Sequence, residues 1–218
     1  MRKVKIGVFD SGVGGLSVVR AIKAALPEAE IILRSDKEHF PYGSRSTEDI
    51  YEFTKPILQD LVTEGCSVIV IACNTVTTNF ISQLRKELPV PLVGIEPMVK
   101  PAAEASRSGV IAVCATLRTL ESKRYFWLKD QYAKGVKVLE PDCSQWASMV
   151  ESNRVDREKV ANIINDVLDQ KADQIVLGCT HFHWIQELIQ DIAKDRAQII
   201  QPEQAVVVQL IKVISKQT

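Results

Sequence analysis

Two stretches of this 218-residue chain end in the same way: residues 67–75 read SVIVIACNT and residues 174–181 read QIVLGCTH. Each is a short apolar run that stops at a cysteine and continues into small hydrogen-bonding residues. A buried strand ending at Cys73 and another ending at Cys179 would place two thiols at strand tips, where open α/β sheets bind ligands. A strand that stops where a helix begins leaves backbone N–H groups unpaired. Asn74 and Thr75 add side-chain donors, so the stretch forms a cradle for a carboxylate. The same helix dipole is expected to lower the Cys73 thiol pKa. A single free cysteine reads as inert packing, since free cysteine is among the most buried residue types. The repetition changes that reading. Two thiols on opposite faces of one bound carbon can remove a proton from one face while the other face receives one, which inverts a stereocentre without metal or pyridoxal.

Each thiol needs a proton partner. Asp10, at the end of the first predicted strand, and His181, two residues beyond Cys179, are the candidates. The segment DSGVGG at 10–15 contains neither G-x-G-x-x-G nor a Walker lysine, so it reads as a strand-to-helix turn with Asp10 or Ser11 as the cap. Cys179, His181 and His183 invite a zinc reading, but ligands from one segment still need a remote partner and no familiar zinc spacing is present. No metal is expected, and His183 reads as a surface or packing residue. Glu151 alone reads as a solvated helix-end carboxylate. Tyr42 reads as a packing aromatic in a Pro-Tyr-Gly turn that can expose N–H donors to an anion. Lys3, Lys5 and Lys23 read as solvated charges.

The elements that must position these residues alternate along the chain. Strands are predicted at 4–9, 30–33, 68–73, 92–95, 109–113, 136–139, 175–177 and 198–200. Between them lie helical patterns marked by Leu16, Val19, Ile22 and Leu26, by Ile50, Phe53, Ile57 and Leu61, and by Phe80, Ile81 and Leu84. Further helices are predicted over 117–127, from Val155 through Leu168, over 184–192 and over 205–214. Ser46 with Asp49 resembles a capping box. Pro97 and Pro101 suggest a joint, with Pro101 tolerable only in the first turn of a helix. The alternation predicts an α/β fold of mostly parallel sheets in two pseudo-equivalent halves, meeting near residue 98 with a cleft between them.

Composition narrows the function classes. Hydrophobic residues at 46% and charged residues at 25% are ordinary for a globular protein and exclude disorder. Basic and acidic residues balance at 27 each, so no overall field favours nucleic acid or an anionic membrane, and the ligand must be recognised locally. Five scattered cysteines in a chain of this length do not make a disulfide framework and fit a reducing compartment. The basic Met1-Arg2-Lys3 is followed too soon by Asp10 for a signal peptide, and no apolar run approaches the roughly 20 residues of a membrane helix. A cytoplasmic location is expected.

Five segments carry a more specific signal: FDSGVGGLSV at 9–18, PYG at 41–43, ACNT at 72–75, GIEP at 94–97 and LGCTH at 177–181. In this order, and spanning nearly the whole chain, they resemble the aspartate/glutamate racemase family, and within it the cofactor-independent racemases of glutamate. The resemblance implies two α/β domains related by pseudo-symmetry, 1–97 plus 201–218 and 98–200. It implies Cys73 and Cys179 as the acid/base pair across the cleft, Cys73 deprotonating D-glutamate and Cys179 L-glutamate. Asp10, Glu151 and His181 match the positions that assist the thiols. The substrate contacts fall on Asp10, Ser11, Pro41, Tyr42, Gly43, Asn74, Thr75, Thr116 and Thr180. The resemblance further implies glutamate as the small-molecule partner, no cofactor, no nucleic acid or membrane partner, a role in supplying D-glutamate for peptidoglycan, and it allows a homodimer. The chain departs from the family pattern at His183, where proline is usual, at Val113, where threonine is frequent, and at Gln201-Pro202, in place of Asp-Ser. It also ends soon after its last helix and lacks the N-terminal extension of members activated by a cell-wall precursor, so such activation is not expected. The alternatives are an aspartate or other amino-acid racemase, a non-catalytic amino-acid-binding module, and a cysteine hydrolase that would leave one thiol unexplained.

Overall fold

A computed structural model describes residues 4–217. Its strands are the apolar runs that lack alternation, as parallel strands covered on both faces require. In the first half these are β1 (Lys5–Asp10), β2 (Glu30–Ser35), β3 (Val68–Ile71) and β4 (Leu92–Gly94), all parallel in the order β2-β1-β3-β4. In the second half, β5 (Val110–Ala115), β6 (Lys137–Leu139), β7 (Gln174–Gly178) and β8 (Gln198–Ile200) run parallel in the order β6-β5-β7-β8. The two orders are the same, so β3 and β7 hold equivalent central positions. Both are fully buried along their length.

Helices cover both faces of each sheet. In the first half α1 (Gly15–Ala25), α2 (Thr47–Thr63) and α3 (Asn74–Glu87) supply the cover. The last helix, α10 (Glu203–Ser215), returns to the first sheet, where Val206, Val207 and Leu210 join Ile6, Val8, Val18 and Ile22 in one core. Full burial of each such side chain contributes about 1.5–3 kcal/mol. The opposite face packs Phe9, Ile50, Leu58, Ile69 and Leu84 together. The second sheet is covered by α4 (Val99–Ala105), α5 (Leu117–Leu120) and α6 (Lys123–Tyr132), and on its other face by α7 (Trp146–Glu151), α8 (Arg157–Asp169) and α9 (Gln186–Ala193). No helix among the described residues is long and apolar enough to cross a membrane.

Local chemistry explains where elements start and stop. Ser46 caps α2 by accepting from the Asp49 N–H over 3.1 Å. Pro101 sits at the third position of α4, where its missing N–H costs no helical bond. The predicted helix over 117–127 is two helices, because Ser122 accepts from the Tyr125 N–H and starts α6 afresh. Val155 lies outside α8, which begins after Asp156 caps the Lys159 N–H. The predicted helix at 184–192 starts later, at Gln186, after a 3₁₀ turn over Thr180–Ile185. Helix α7, too short to show a period, ends at Glu151, in keeping with the helix-end reading of that residue. Lys5 pairs with Glu30 at 3.1 Å and Lys23 donates to the Pro27 carbonyl at 2.8 Å, whereas Lys3 lies outside the described residues.

Candidate active site

Strand β3 ends two residues before Cys73, which stands at the N-terminus of α3 and is only 5% exposed. The adjacent β1 brings Asp10 and then Ser11 alongside, and the Cys73 thiol donates to Ser11 Oγ over 3.6 Å. Asp10 is fully buried. Its Oδ2 accepts from the N–H groups of Gly15 at 3.0 Å and Gly12 at 3.3 Å, and its Oδ1 accepts from the Thr180 hydroxyl of the second half at 3.1 Å. Asn74 is buried with neither side-chain atom hydrogen-bonded, an arrangement suited to a ligand that offers both a donor and an acceptor. Thr75 shares hydroxyl contacts with Thr116 at 2.9 Å and Thr119 at 3.4 Å, joining α3 to the start of α5.

The Cys179 side repeats this plan with different partners. Cys179 follows β7, and its thiol lies 3.9 Å from His181 Nδ1. The other ring nitrogen, Nε2, lies 2.8 Å from Glu151 Oε2 at the end of α7. That same oxygen accepts from the Val13 N–H of the first half at 2.9 Å. Glu151 is therefore not the solvated helix-end carboxylate expected, because a turn 138 residues away in sequence covers it. The approach is close enough to require glycine: a Cβ on Gly12 would stand 2.5 Å from Glu151 Oε2, and one on Gly14 would stand 2.8 Å from the His181 backbone nitrogen.

The two thiols face one narrow cavity of ≈ 120 Å³, a size for a small metabolite rather than a polymer. Ser11, Pro41, Tyr42, Gly43, Asn74, Thr75, Thr116, Thr180 and His181 all line it. Asp10 and Glu151 stand behind that wall, reaching it through Thr180 and His181. The Tyr42 hydroxyl points away, donating to Asp36 Oδ2 at 2.5 Å and fixing the Pro41–Gly43 turn. Gly43 packs against Thr116, whose Cβ would be 2.8 Å from an added methyl. Phe40, Ser44, Leu117, Ser144 and Ala147 also line the cavity and were not singled out from the sequence. Of these only Phe40 and Ser44 carried a signal, their adjacency to the Pro-Tyr-Gly turn. Phe40 packs its ring 5.0 Å from that of His181.

Two further expectations are sharpened or corrected. Of the surface and packing readings of His183, the structure gives the packing one: the ring is buried, with Nδ1 3.0 Å from Ser17 Oγ and 2.6 Å from Glu203 Oε1. The rings of His181 and His183 thus engage different partners. No group of three or more His, Cys, Asp or Glu suited to a metal occurs among the described residues. Nor is the Cys73 thiol lowered as the helix dipole suggests. Burial, with the Asp10 charge beside it, pushes Cys73 up to about 11, against the N–H groups of Val76 and Thr75 and the Ser11 hydroxyl. Burial likewise drives Cys179 well above the ordinary thiol range, eased by the His181 N–H and raised further by the charges of Cys73 and Asp10. Burial also raises Asp10, against the His181 charge and its three hydrogen bonds. Desolvation of a thiolate outweighs one helix terminus here. Because a charge on Cys73 raises Cys179 further, ionising both thiols together is disfavoured.

Comparison with known proteins gives the class. The profile described as Asp/Glu/Hydantoin racemase matches residues 6–210, and the chain belongs to that family. More particularly, it is similar to glutamate racemases. It is 38% identical over 216 residues to the one from Ectopseudomonas mendocina, covering 97% of this chain and 82% of that protein. It is 40% identical over 205 residues to the one from Ralstonia pickettii, covering 92% and 73%. Among solved structures, Escherichia coli glutamate racemase in complex with L-glutamate and the activator UDP-MurNAc-Ala superposes with a TM-score of 0.90 at 27% identity, covering 98% of this chain and 83% of that one. A glutamate racemase isoform from Bacillus anthracis superposes with a TM-score of 0.86 at 28% identity, covering 99% and 83%.

Proposed function

We propose that this chain interconverts L- and D-glutamate by two-base proton transfer at the α-carbon, needing no cofactor. The observation that carries the reading is the placing of Cys73 and Cys179 after equivalent strands, facing one cavity, each with its own polar partners. Asn74, Thr75 and the N-terminus of α3 hold a carboxylate, and Thr116 and Thr180 close the cavity from the second half. The domain division that fits this site is 1–97 plus 201–218 against 98–200, with the cavity between them.

In the L-to-D direction the Cys179 thiolate takes the α-proton, and Cys73 gives its own proton to the opposite face. The roles exchange in reverse. A thiolate whose conjugate acid is held high is the stronger base, which suits a weakly acidic C–H, and the substrate ammonium supplies the positive charge that makes one thiolate affordable. His181, oriented by Glu151, accepts and returns the proton of Cys179, while Asp10 with Ser11 serves Cys73. The proposed setting is the cytoplasm, with D-glutamate passing to peptidoglycan synthesis.

In D₂O with chelator present, L-glutamate should lose its circular dichroism while gaining deuterium at Cα, and D-glutamate should do the same from the opposite side. Cys73→Ala and Cys179→Ala should each abolish racemisation. Activity removed by the chelator, or glutamate bound without α-exchange, would overturn the reading.

A further inference from the structure

His183 takes no part in the chemistry above, yet it is held more firmly than a packing residue needs. It is 8% exposed, and its Nδ1 contacts two elements at once: Ser17 Oγ of α1 at 3.0 Å and Glu203 Oε1 in the first turn of α10 at 2.6 Å. Both helices pack on the first sheet, whereas His183 belongs to the 3₁₀ turn that follows β7 of the second sheet.

A 3₁₀ helix has three residues per turn, so Thr180 and His183 stand on one face of it. Both reach into the first half, Thr180 to Asp10 and His183 to Ser17 and Glu203. His181, on a different face, is left to meet Cys179 and Glu151. Burial pushes the Glu203 carboxyl up, but the His183 hydrogen bond and charge more than offset this and hold it below its ordinary value. A carboxylate only accepts, so His183 Nδ1 carries the proton. Gln201, with its amide nitrogen oriented to donate, lies 3.0 Å from Glu203 Oε2, and Ser17 Oγ also donates to the Gly14 carbonyl at 3.2 Å. His183 Nε2 is buried without a partner, so the ring is held through Nδ1 alone.

Resting on the racemase reading, we infer that His183 is a positioning residue for one face of the reaction. Anchored by Ser17 and Glu203, it fixes the turn that aims Cys179 and His181 at the α-carbon. Cys73 meets this turn only indirectly, through Asp10 and Thr180, whereas its own hydrogen-bond partners Ser11, Thr75 and Val76 belong to the first half. Loss of His183 therefore slows proton transfer at the Cys179 face and leaves the Cys73 face intact.

The test is the α-deuterium isotope effect on kcat/KM, measured in both directions on the wild type, His183→Ala, His183→Asn and Glu203→Gln. Asparagine places an amide donor near the position of Nδ1. For His183→Ala and Glu203→Gln, kcat should fall roughly 10- to 100-fold, the loss that slight misplacement of a reacting group brings. The isotope effect should rise with L-[2-²H]glutamate, where Cys179 abstracts the label. It should fall toward unity with D-[2-²H]glutamate, where abstraction by Cys73 is no longer limiting. His183→Asn should restore the wild-type balance. A general loss of folded protein would lower activity with both isotope effects unchanged, and that result, in Glu203→Gln as well as His183→Ala, would overturn the inference, as would wild-type kcat in His183→Ala. Failure of the wild type to exchange the α-proton would instead overturn the racemase reading itself.

Discussion

Glu151 Oε2 sits 2.8 Å from His181 Nε2 and 2.9 Å from the Val13 N–H, so a single oxygen ties the histidine beside Cys179 to a glycine turn of the other half. The imidazole is thereby fixed by its far nitrogen, while Nδ1 is turned toward the Cys179 thiol. The arrangement resembles an acid that orients a general base by hydrogen bonding to its other ring nitrogen.

Glu151→Gln follows directly from this geometry. The amide oxygen can accept the same two hydrogen bonds, so the fold and KM should change little. The charge that stabilises a protonated His181 is gone, and kcat should fall by about 10²-fold or more, the scale of general acid–base assistance. Steady-state kinetics on the purified variant checks this, and an unchanged kcat would show that the carboxylate only shapes the pocket.

Gly12→Ala tests the closeness of the same junction. A methyl there would stand 2.5 Å from Glu151 Oε2 and 2.7 Å from His181 Nε2, and neither group can retreat without breaking its bond to the other. Overpacking of this kind typically costs about 1–3 kcal/mol. The urea midpoint should drop and racemisation should fall further than stability does. A variant of wild-type stability and rate would mean that the turn opens freely.

Much of this site is legible in the sequence, and the remainder is tertiary. Cys73 and Cys179 announced themselves because an apolar strand and the polar residues after it are contiguous in sequence. The Ser122 break between α5 and α6 is hidden because the apolar pattern runs through it, and the cap made by that serine begins the second helix. The solvated reading of Glu151 and the surface alternative for His183 fail for a common reason: each is covered by partners far away in sequence, Val13 in one case and Ser17 and Glu203 in the other. The Cys73 thiol runs opposite to the helix-dipole expectation because burial, a property of the whole fold, outweighs a local terminus.

The Cys73 shift has a consequence for stability. Its folded-state value is about 11, above the ordinary 9.0, so the folded protein retains a proton that the unfolded chain loses. The associated stability is fully present below pH 9.0 and is lost as pH rises through about 11. Unfolding midpoints in urea should hold steady up to pH 8.5 and then decline. Replacement by Cys73→Ala should flatten part of the decline, with Cys179 supplying the same sign by the same cause. A midpoint that rose across this window would contradict the buried, neutral thiol.

Asn74 offers the opposite trade between stability and function. Its carboxamide is buried with both polar atoms unpaired, and an unsatisfied buried polar group costs about 1–3 kcal/mol. Asn74→Ala removes that cost and leaves a small void, so the urea midpoint should stay level or rise. The variant loses the donor proposed to hold the substrate carboxylate, so KM for glutamate should increase about tenfold or more, the worth of one hydrogen bond to a charged group. Kinetics and equilibrium unfolding on the same preparation decide the point. A lower midpoint with unchanged KM would show that Asn74 serves the fold rather than the ligand.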